Sequence, residues 1–189
     1  MKRTAFCTAI LLGLAACGGG ETADTAETSA PADAPAAAPA ATTMPDWYQM
    51  DGNNVTLDIT AGSTPTGNYW NFNGAQNGAM TITVPVGANV TLNFANMDPA
   101  MAHSIGVAAG FTSPPAMIDV TPVFAGAITS GAASMAAATQ TNGTETITFV
   151  ADAAGSYSLV CYVPGHAVSG MWIHFVVSDT QEAGVMGAM

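Results

Sequence analysis

The chain has 189 residues, of which 49% are hydrophobic and only 8% are charged. Its lysine and arginine content is limited to Lys2 and Arg3, against 13 acidic residues, and the formal net charge is −11 at pH 7. Proteins that bind nucleic acids or phosphate groups use Lys and Arg to neutralise phosphates. The composition therefore excludes a nucleic-acid partner, a Lys-containing phosphate loop and a polybasic membrane patch.

The N-terminus has the pattern of a secretory signal peptide. Two cations precede an apolar run over residues 5–14, which is too short for a stable membrane span, and small residues lead to Cys17. We predict a signal peptide over residues 1–16. Cys17 then stands where a bacterial lipoprotein signal carries its acylated cysteine, and this resemblance to a lipobox implies a lipid on Cys17. An ordinary signal peptide cut nearby is the alternative.

Residues 17–45 differ in composition from the rest of the chain. They are rich in Ala, Gly, Pro, Thr and acidic residues and contain no aromatic side chain. Such a segment buries too little apolar surface to fold, which predicts a disordered tether. Aromatic residues begin at Trp47, and we predict a folded domain over residues 46–178 with a flexible tail over 179–189.

Within the predicted domain, short runs alternate apolar and polar residues and are separated by Gly, Pro and Asn. The predicted strands cover residues 55–60, 80–84, 90–94, 146–150, 156–161 and 172–177. Many short strands at this spacing are typical of an all-β antiparallel sandwich or barrel. Residues 108–141, rich in Ala, Gly, Ser and Pro, are predicted to form a loop-rich insertion with room for one short helix.

A metal-binding pattern lies between the last two predicted strands. Cys161, His166 and Met171 recur at intervals of five, and the Pro and Gly residues between them make the loop compact. A thiolate, an imidazole and a thioether together favour copper. Two His and one Cys with a weak axial Met form the electron-transfer type of copper site.

This pattern requires a second imidazole from elsewhere in the chain. We predict that it is His103, which follows a Pro-containing turn where a strand resumes. His174 is the alternative, but it lies inside a predicted strand and should point to the opposite face from Met171. Ser104, directly after His103, is predicted to support the ligand loop through a hydrogen bond.

The Cys-x4-His-x4-Met spacing over residues 161–171, the upstream His103 and the strand pattern resemble the cupredoxins, the blue copper proteins. The WNFNG motif at residues 70–74 and the ligand-loop residues 162–172 are similar to those of sulfocyanins. Auracyanins share the same loop spacing. The resemblance covers about residues 68–178.

The resemblance implies a cupredoxin-type antiparallel, Greek-key β-sandwich and single-electron transfer between membrane-associated redox complexes. It implies one type 1 copper ion with the ligands His103, Cys161, His166 and Met171. It further implies that the edge of the ligand His166 reaches solvent through an apolar collar where electrons pass. The candidates for this docking surface include Pro164 and Val168.

Two other function classes are considered. Copper enzymes of the nitrite-reductase or multicopper-oxidase kind couple the blue site to a second copper through a His adjacent to the Cys. Here Cys161 is flanked by Val160 and Tyr162, and we expect no enzyme. A periplasmic copper chaperone or storage protein remains the alternative.

The acidic composition favours a basic redox partner, such as a cytochrome or a terminal oxidase, because opposite charges accelerate encounter. We expect a monomeric domain that contacts the membrane only through its N-terminal lipid. Its expected location is the periplasmic side of a bacterial membrane, and Gly18 after Cys17 favours the outer membrane.

Overall fold

The computed structural model describes residues 42–187. The predicted signal peptide, Cys17, the predicted tether as far as residue 41 and the last two residues of the predicted tail lie outside this range. The described part of the chain contains nine strands and no helix. Accordingly, it has no helix long and apolar enough to cross a lipid bilayer.

The strands, in chain order, are β1 (Tyr48–Asp51), β2 (Asn54–Ala61), β3 (Met80–Pro85), β4 (Ala88–Asn96), β5 (Gly106–Ala109), β6 (Thr144–Ala151), β7 (Gly155–Val160), β8 (Trp172–Ser178) and β9 (Gly184–Gly187). All six predicted strands are present, as β2, β3, β4, β6, β7 and β8. Each strand end lies within two residues of its predicted position.

The strands form two sheets, with the orders β1-β2-β4-β6 and β5-β7-β8-β3-β9. The predicted all-β sandwich is confirmed. Two pairings, β2 with β4 and β3 with β8, are parallel rather than antiparallel. The reason is that the chain leaves the first sheet after β2, forms β3 in the second sheet, and returns to place β4 beside β2 in the same direction.

The core lies between the two sheets and follows from the alternation of the sequence. In β4, the inward side chains of Val90, Leu92 and Phe94 are each at most 1% exposed, while the residues between them face outward. Phe149 of β6 and Phe175 of β8 meet edge-on across the interface, with ring centroids 6.1 Å apart. These contacts fix the two sheets against each other.

One end of the sandwich gathers the segments that carry the predicted ligands. At this end, β4 finishes at Asn96, β5 begins at Gly106, β7 finishes at Val160 and β8 begins at Trp172. We call it the ligand end, and the opposite end the distal end. Residues 97–105 and 161–171 are connections at the ligand end, so the fold brings them together.

The predicted insertion has its expected length but lies two residues further along the chain, and it contains no helix. Its first two residues belong to β5, and the connection to β6 covers residues 110–143. This connection packs along β5: the Val123 amide donates to Val107, and the Val107 amide donates to Ala127. Phe124 from the same segment is buried in the main core. The segment therefore covers one edge of the second sheet.

The prediction of a flexible tail is wrong for residues 184–187. These residues form β9, which pairs antiparallel with β3, and Val185 is only 1% exposed. Thr43, assigned to the tether, exchanges two backbone hydrogen bonds with Val185, at 2.8 and 2.7 Å. Ordered structure thus begins before residue 46 and continues past residue 178, because the outer edge of β3 pairs with β9 and β9 in turn pairs with Thr43.

We expect Val185→Ala to lower the free energy of unfolding by about 2 kcal/mol, because it removes buried methyl groups and leaves a cavity. The matched control is Met186→Ala in the same strand, where the side chain is 38% exposed. This control should change stability by less than about 0.5 kcal/mol. Urea unfolding of both variants measures the difference. Equal effects would show that β9 does not contribute to the core.

Candidate metal centre

Three potential ligand atoms converge inside the ligand end. The Nδ1 atoms of His103 and His166 are 3.1 Å apart, and Cys161 Sγ lies 3.5 Å from His166 Nδ1 and 3.9 Å from His103 Nδ1. All three residues are at most 2% exposed. Within residues 42–187, they are the one group of three or more His, Cys, Asp or Glu residues whose ligand atoms all lie within 4.8 Å of one another.

These distances fit a single metal ion. A first-row divalent metal binds nitrogen at about 2.0 Å and sulfur at about 2.3 Å, so a trigonal arrangement separates the donors by about 3.5 to 3.7 Å. The observed separations of 3.1, 3.5 and 3.9 Å surround these values. Two imidazoles and one thiolate form the trigonal donor set of electron-transfer copper sites. The residues therefore fit one copper ion.

The ligand loop is held by its own backbone. The Cys161 amide donates to the Met171 carbonyl at 3.1 Å, and the Met171 amide donates to the His166 carbonyl at 3.0 Å. Gly165 and Gly170 have φ angles of +85° and +112°, which side-chain-bearing residues rarely adopt. The Met171 side chain is fully buried in the same core cluster as Cys161. The predicted loop ligands are thus brought close together between β7 and β8.

A buried carboxylate orients His103. Asp98 is 2% exposed, and its Oδ2 lies 2.8 Å from His103 Nε2. Its Oδ1 accepts hydrogen bonds from the amides of Ala100 and Met101, at 2.8 and 3.0 Å. When Nε2 carries the proton and donates to this carboxylate, Nδ1 keeps a free lone pair that faces Cys161 and His166.

Ser104 links residues 97–105 to residues 161–171 at the ligand end. Its amide lies 3.4 Å from Cys161 Sγ and its hydroxyl lies 3.6 Å from the same sulfur. The hydroxyl oxygen also accepts a hydrogen bond from the Tyr162 amide at 2.9 Å. Ser104 therefore contacts the ligand loop through both its backbone and its side chain.

His174 does not belong to this group. It lies within β8, where its backbone is between Thr81 of β3 and Ser158 of β7. Its ring is partly exposed and meets Trp172 edge-on, with centroids 5.1 Å apart. The structure therefore brings His103, and not His174, to Cys161 and His166.

The expectation that the edge of His166 reaches solvent is wrong. His166 is 2% exposed because the ring of Trp70 stacks on it, with centroids 4.2 Å apart and planes inclined by 20°. Of the predicted collar residues, Pro164 is exposed and Val168 is 52% exposed. They lie on the same loop as His166 but leave its ring covered.

Burial governs the proton affinity of the three potential ligands. It lowers the pKa of His103, although Asp98 partly opposes this effect. It lowers the pKa of His166 to about 4, with a further contribution from the neighbouring His103. Burial also raises the pKa of the Cys161 thiol. Both imidazoles are consequently neutral and able to bind a metal near pH 7, whereas thiolate ligation releases a proton.

We expect the metal-free protein to lose stability as the pH falls from about 6.5 to about 4. An unfolded His has a pKa near 6.5, and it binds a proton in this range that folded His166, with a pKa of about 4, does not bind. The shift corresponds to about 3 kcal/mol from this residue. Urea unfolding at several pH values measures it. The profile should flatten in His166→Asn, and identical profiles for the two proteins would contradict this explanation.

Sequence reasoning did not identify the roles of Asp98 and Trp70. Asp98 begins an Asp-Pro turn five residues before His103. An Asp at the start of a turn is a sequence signal for a carboxylate that accepts hydrogen bonds from the backbone of that turn. Trp70 is the first residue of the WNFNG motif, but its stacking on His166 joins residues 96 positions apart. No local pattern reports such a contact.

A β-sandwich that holds two His and one Cys in a buried cluster at one end defines the class of blue copper proteins, the cupredoxins. A sequence model described as "Sulfocyanin (SoxE) domain" matches residues 41–185. The chain is also 30% identical over 146 residues to a sulfocyanin from Sulfolobus acidocaldarius, covering 72% of this chain and 69% of that protein. The chain belongs to the sulfocyanin family.

Solved structures of other blue copper proteins are also similar. Rusticyanin from Thiobacillus ferrooxidans is 26% identical, with a TM-score of 0.47, covering 70% of this chain and 87% of that chain. Reduced auracyanin from Roseiflexus castenholzii is 26% identical, with a TM-score of 0.47, covering 65% of this chain and 96% of that chain.

Proposed function

We propose that this protein is a type 1 copper electron carrier that passes single electrons between membrane-associated redox complexes. The observation that carries the proposal is the convergence of His103 Nδ1, His166 Nδ1 and Cys161 Sγ in a buried site. The family and its cupredoxin class support the same function. Bound copper supplies the chemistry by alternating between its two oxidation states.

We assign three strong ligands and one weak ligand. His103, His166 and the Cys161 thiolate would hold the copper ion, and the Met171 thioether would add a weaker contact. Each ligand is buried and lies either in the connection between β4 and β5 or in the loop between β7 and β8. Because the two sheets hold these positions, the donor atoms stay in place when the charge of the site changes, which keeps the reorganisation small.

We propose that redox partners dock at the ligand end through apolar contact. Four exposed acidic residues lie at the distal end: Asp51, Asp152, Asp179 and Glu182. By contrast, Asp119 is exposed near the ligand loop, where, in addition to burial, it helps to raise the pKa of Tyr162. A basic partner surface would therefore be attracted mainly to the end remote from the site. An uncharged contact surface on a cytochrome or terminal oxidase suits the ligand end better.

The cellular arrangement is part of the proposal. The sequence supports a lipid on Cys17, an attachment through residues 17–41 and a position on the periplasmic side of a bacterial membrane, with the outer membrane favoured by Gly18. Several acyl chains on one residue give stable anchoring, whereas a single chain binds weakly. Release of the protein from membranes by Cys17→Ala would test the anchor.

A copper chaperone or storage protein is the second candidate, because the same donors bind Cu(I). Cyclic voltammetry of the copper-loaded protein in the presence of a Cu(I) chelator separates the two functions. An electron carrier gives a reversible one-electron wave that persists over many cycles, with no copper in the chelator. Transfer of the metal to the chelator after reduction would instead indicate delivery or storage. We propose no enzymatic activity for this site.

A further inference from the structure

No proposed ligand side chain gives a partner direct access to the metal site. His103, Cys161 and Met171 are 0% exposed, and His166 is 2% exposed. A protein that docks on the surface therefore cannot make appreciable contact with any of them. An electron that enters or leaves must cross at least one further residue.

Trp70 is the aromatic residue that connects a proposed ligand with the surface. Its ring stacks on His166 at a centroid distance of 4.2 Å, while the side chain as a whole is partly exposed. Its Nε1 is buried without a hydrogen-bond partner, so packing against His166 and the core determines the position of the ring. A conjugated ring thus extends from the ligand toward solvent.

Tyr162 is the competing route because it follows Cys161 directly in the chain. However, Tyr162 is 2% exposed, and its hydroxyl is buried without a hydrogen-bond partner. Its ring lies against Gly106 of β5, beneath the 110–143 connection. A path through Tyr162 would end inside the protein. The electron would then need a further transfer step to reach a partner.

We infer that Trp70 is the electron-transfer residue through which the site exchanges electrons with a docked one-electron redox protein. The inference rests on the proposed function. In the transfer, one electron leaves the reduced site, crosses His166 and Trp70, and reduces the metal centre of the partner. No bond forms or breaks, and no proton moves.

The test uses Trp70→Leu and Trp70→Phe with hexacyanoferrate(III) as the oxidant. This anion is repelled by the acidic distal end, which favours its approach at the ligand end. Stopped-flow oxidation of the reduced, copper-loaded protein gives the rate, and the iron accepts the electron. Trp47→Leu is the matched control, since Trp47 is also partly buried against the core, and the described residues show no ring contact between it and a ligand.

We expect Trp70→Leu to lower the rate by about tenfold, equivalent to about 1.4 kcal/mol in activation free energy, with the blue absorption band and the copper content retained. Trp70→Phe should fall between this variant and the native protein, and Trp47→Leu should leave the rate unchanged. In the metal-free protein, the His166 ring protons should lose their upfield NMR shift in Trp70→Leu.

Two results would overturn the inference. One is an unchanged rate in Trp70→Leu when the native protein has its blue band, and the other is an equal fall in the Trp47→Leu control. A greater loss in Tyr162→Leu than in Trp70→Leu would assign the route to Tyr162 instead. Failure of the proposed function is distinguishable, because the native protein would then show no blue band at all.

Discussion

Cys161→Ser abolishes the intense visible absorption of the copper-loaded protein. This is the largest spectroscopic change that we expect from a single substitution, because the band of a type 1 site comes from charge transfer between the Cys thiolate and copper. A Ser hydroxyl is a hard, protonated donor and cannot replace the thiolate in selecting or binding copper at this position. Cys161 is the one cysteine in the described residues, so no neighbouring thiol can compensate.

The measurement is visible absorption and EPR at equal copper content, with circular dichroism to confirm that the variant is folded. Folding should be retained, since serine is nearly the same size as cysteine. A variant with an intact blue band would contradict the assignment of Cys161 as a ligand. A colourless variant whose remaining copper gives a wide hyperfine splitting is the result that we expect.

Asp98→Ala weakens copper binding by about 10- to 100-fold, the usual effect of removing a group that orients a ligating His. It also lowers the stability of the metal-free protein by about 1–3 kcal/mol, because it leaves one buried imidazole N–H and two partly buried amides without acceptors. These donors are His103 Nε2 and the amides of Ala100 and Met101. Burial raises the pKa of Asp98, but the hydrogen bonds outweigh it and the net pKa is lowered, so the carboxylate is ionised at neutral pH.

Competition with a copper chelator measures the affinity, and urea unfolding measures the stability. Asp119→Ala is the matched control, because Asp119 also accepts a backbone hydrogen bond, from Thr121, but is exposed. Asp98→Asn should have an intermediate effect, since an amide has one acceptor oxygen and cannot serve both the backbone amides and His103. Equal affinities in Asp98→Ala and Asp119→Ala would show that Asp98 does not orient the ligand.

Local patterns predicted the parts of the fold whose cause is local. The strands β2, β4 and β6 alternate buried and exposed residues, and this alternation is visible in the sequence. The spacing of Cys161, His166 and Met171 was informative for the same reason, because all three belong to one loop. The choice of His103 was also possible from sequence, since only three His occur in the chain.

Pairings that depend on the rest of the molecule were not predictable. β9 has the sequence GVMG, with two glycines and little intrinsic preference for a strand, and it forms because β3 offers an open edge. β1 has a single buried residue, Tyr48, so it shows no alternation. The stacking of the Trp70 ring on His166 was not predictable for the same reason. These features depend on contacts between residues far apart in the chain.

The assignment of a type 1 copper site is tested by adding one equivalent of Cu(II) to the metal-free protein and recording visible absorption and EPR. We expect an intense thiolate-to-copper band with a narrow copper hyperfine splitting, and the loss of both in His103→Ala. His174→Ala should retain both, because His174 lies outside the cluster. A pale tetragonal signal in the native protein, or an unchanged blue spectrum in His103→Ala, would contradict a type 1 copper site that includes His103.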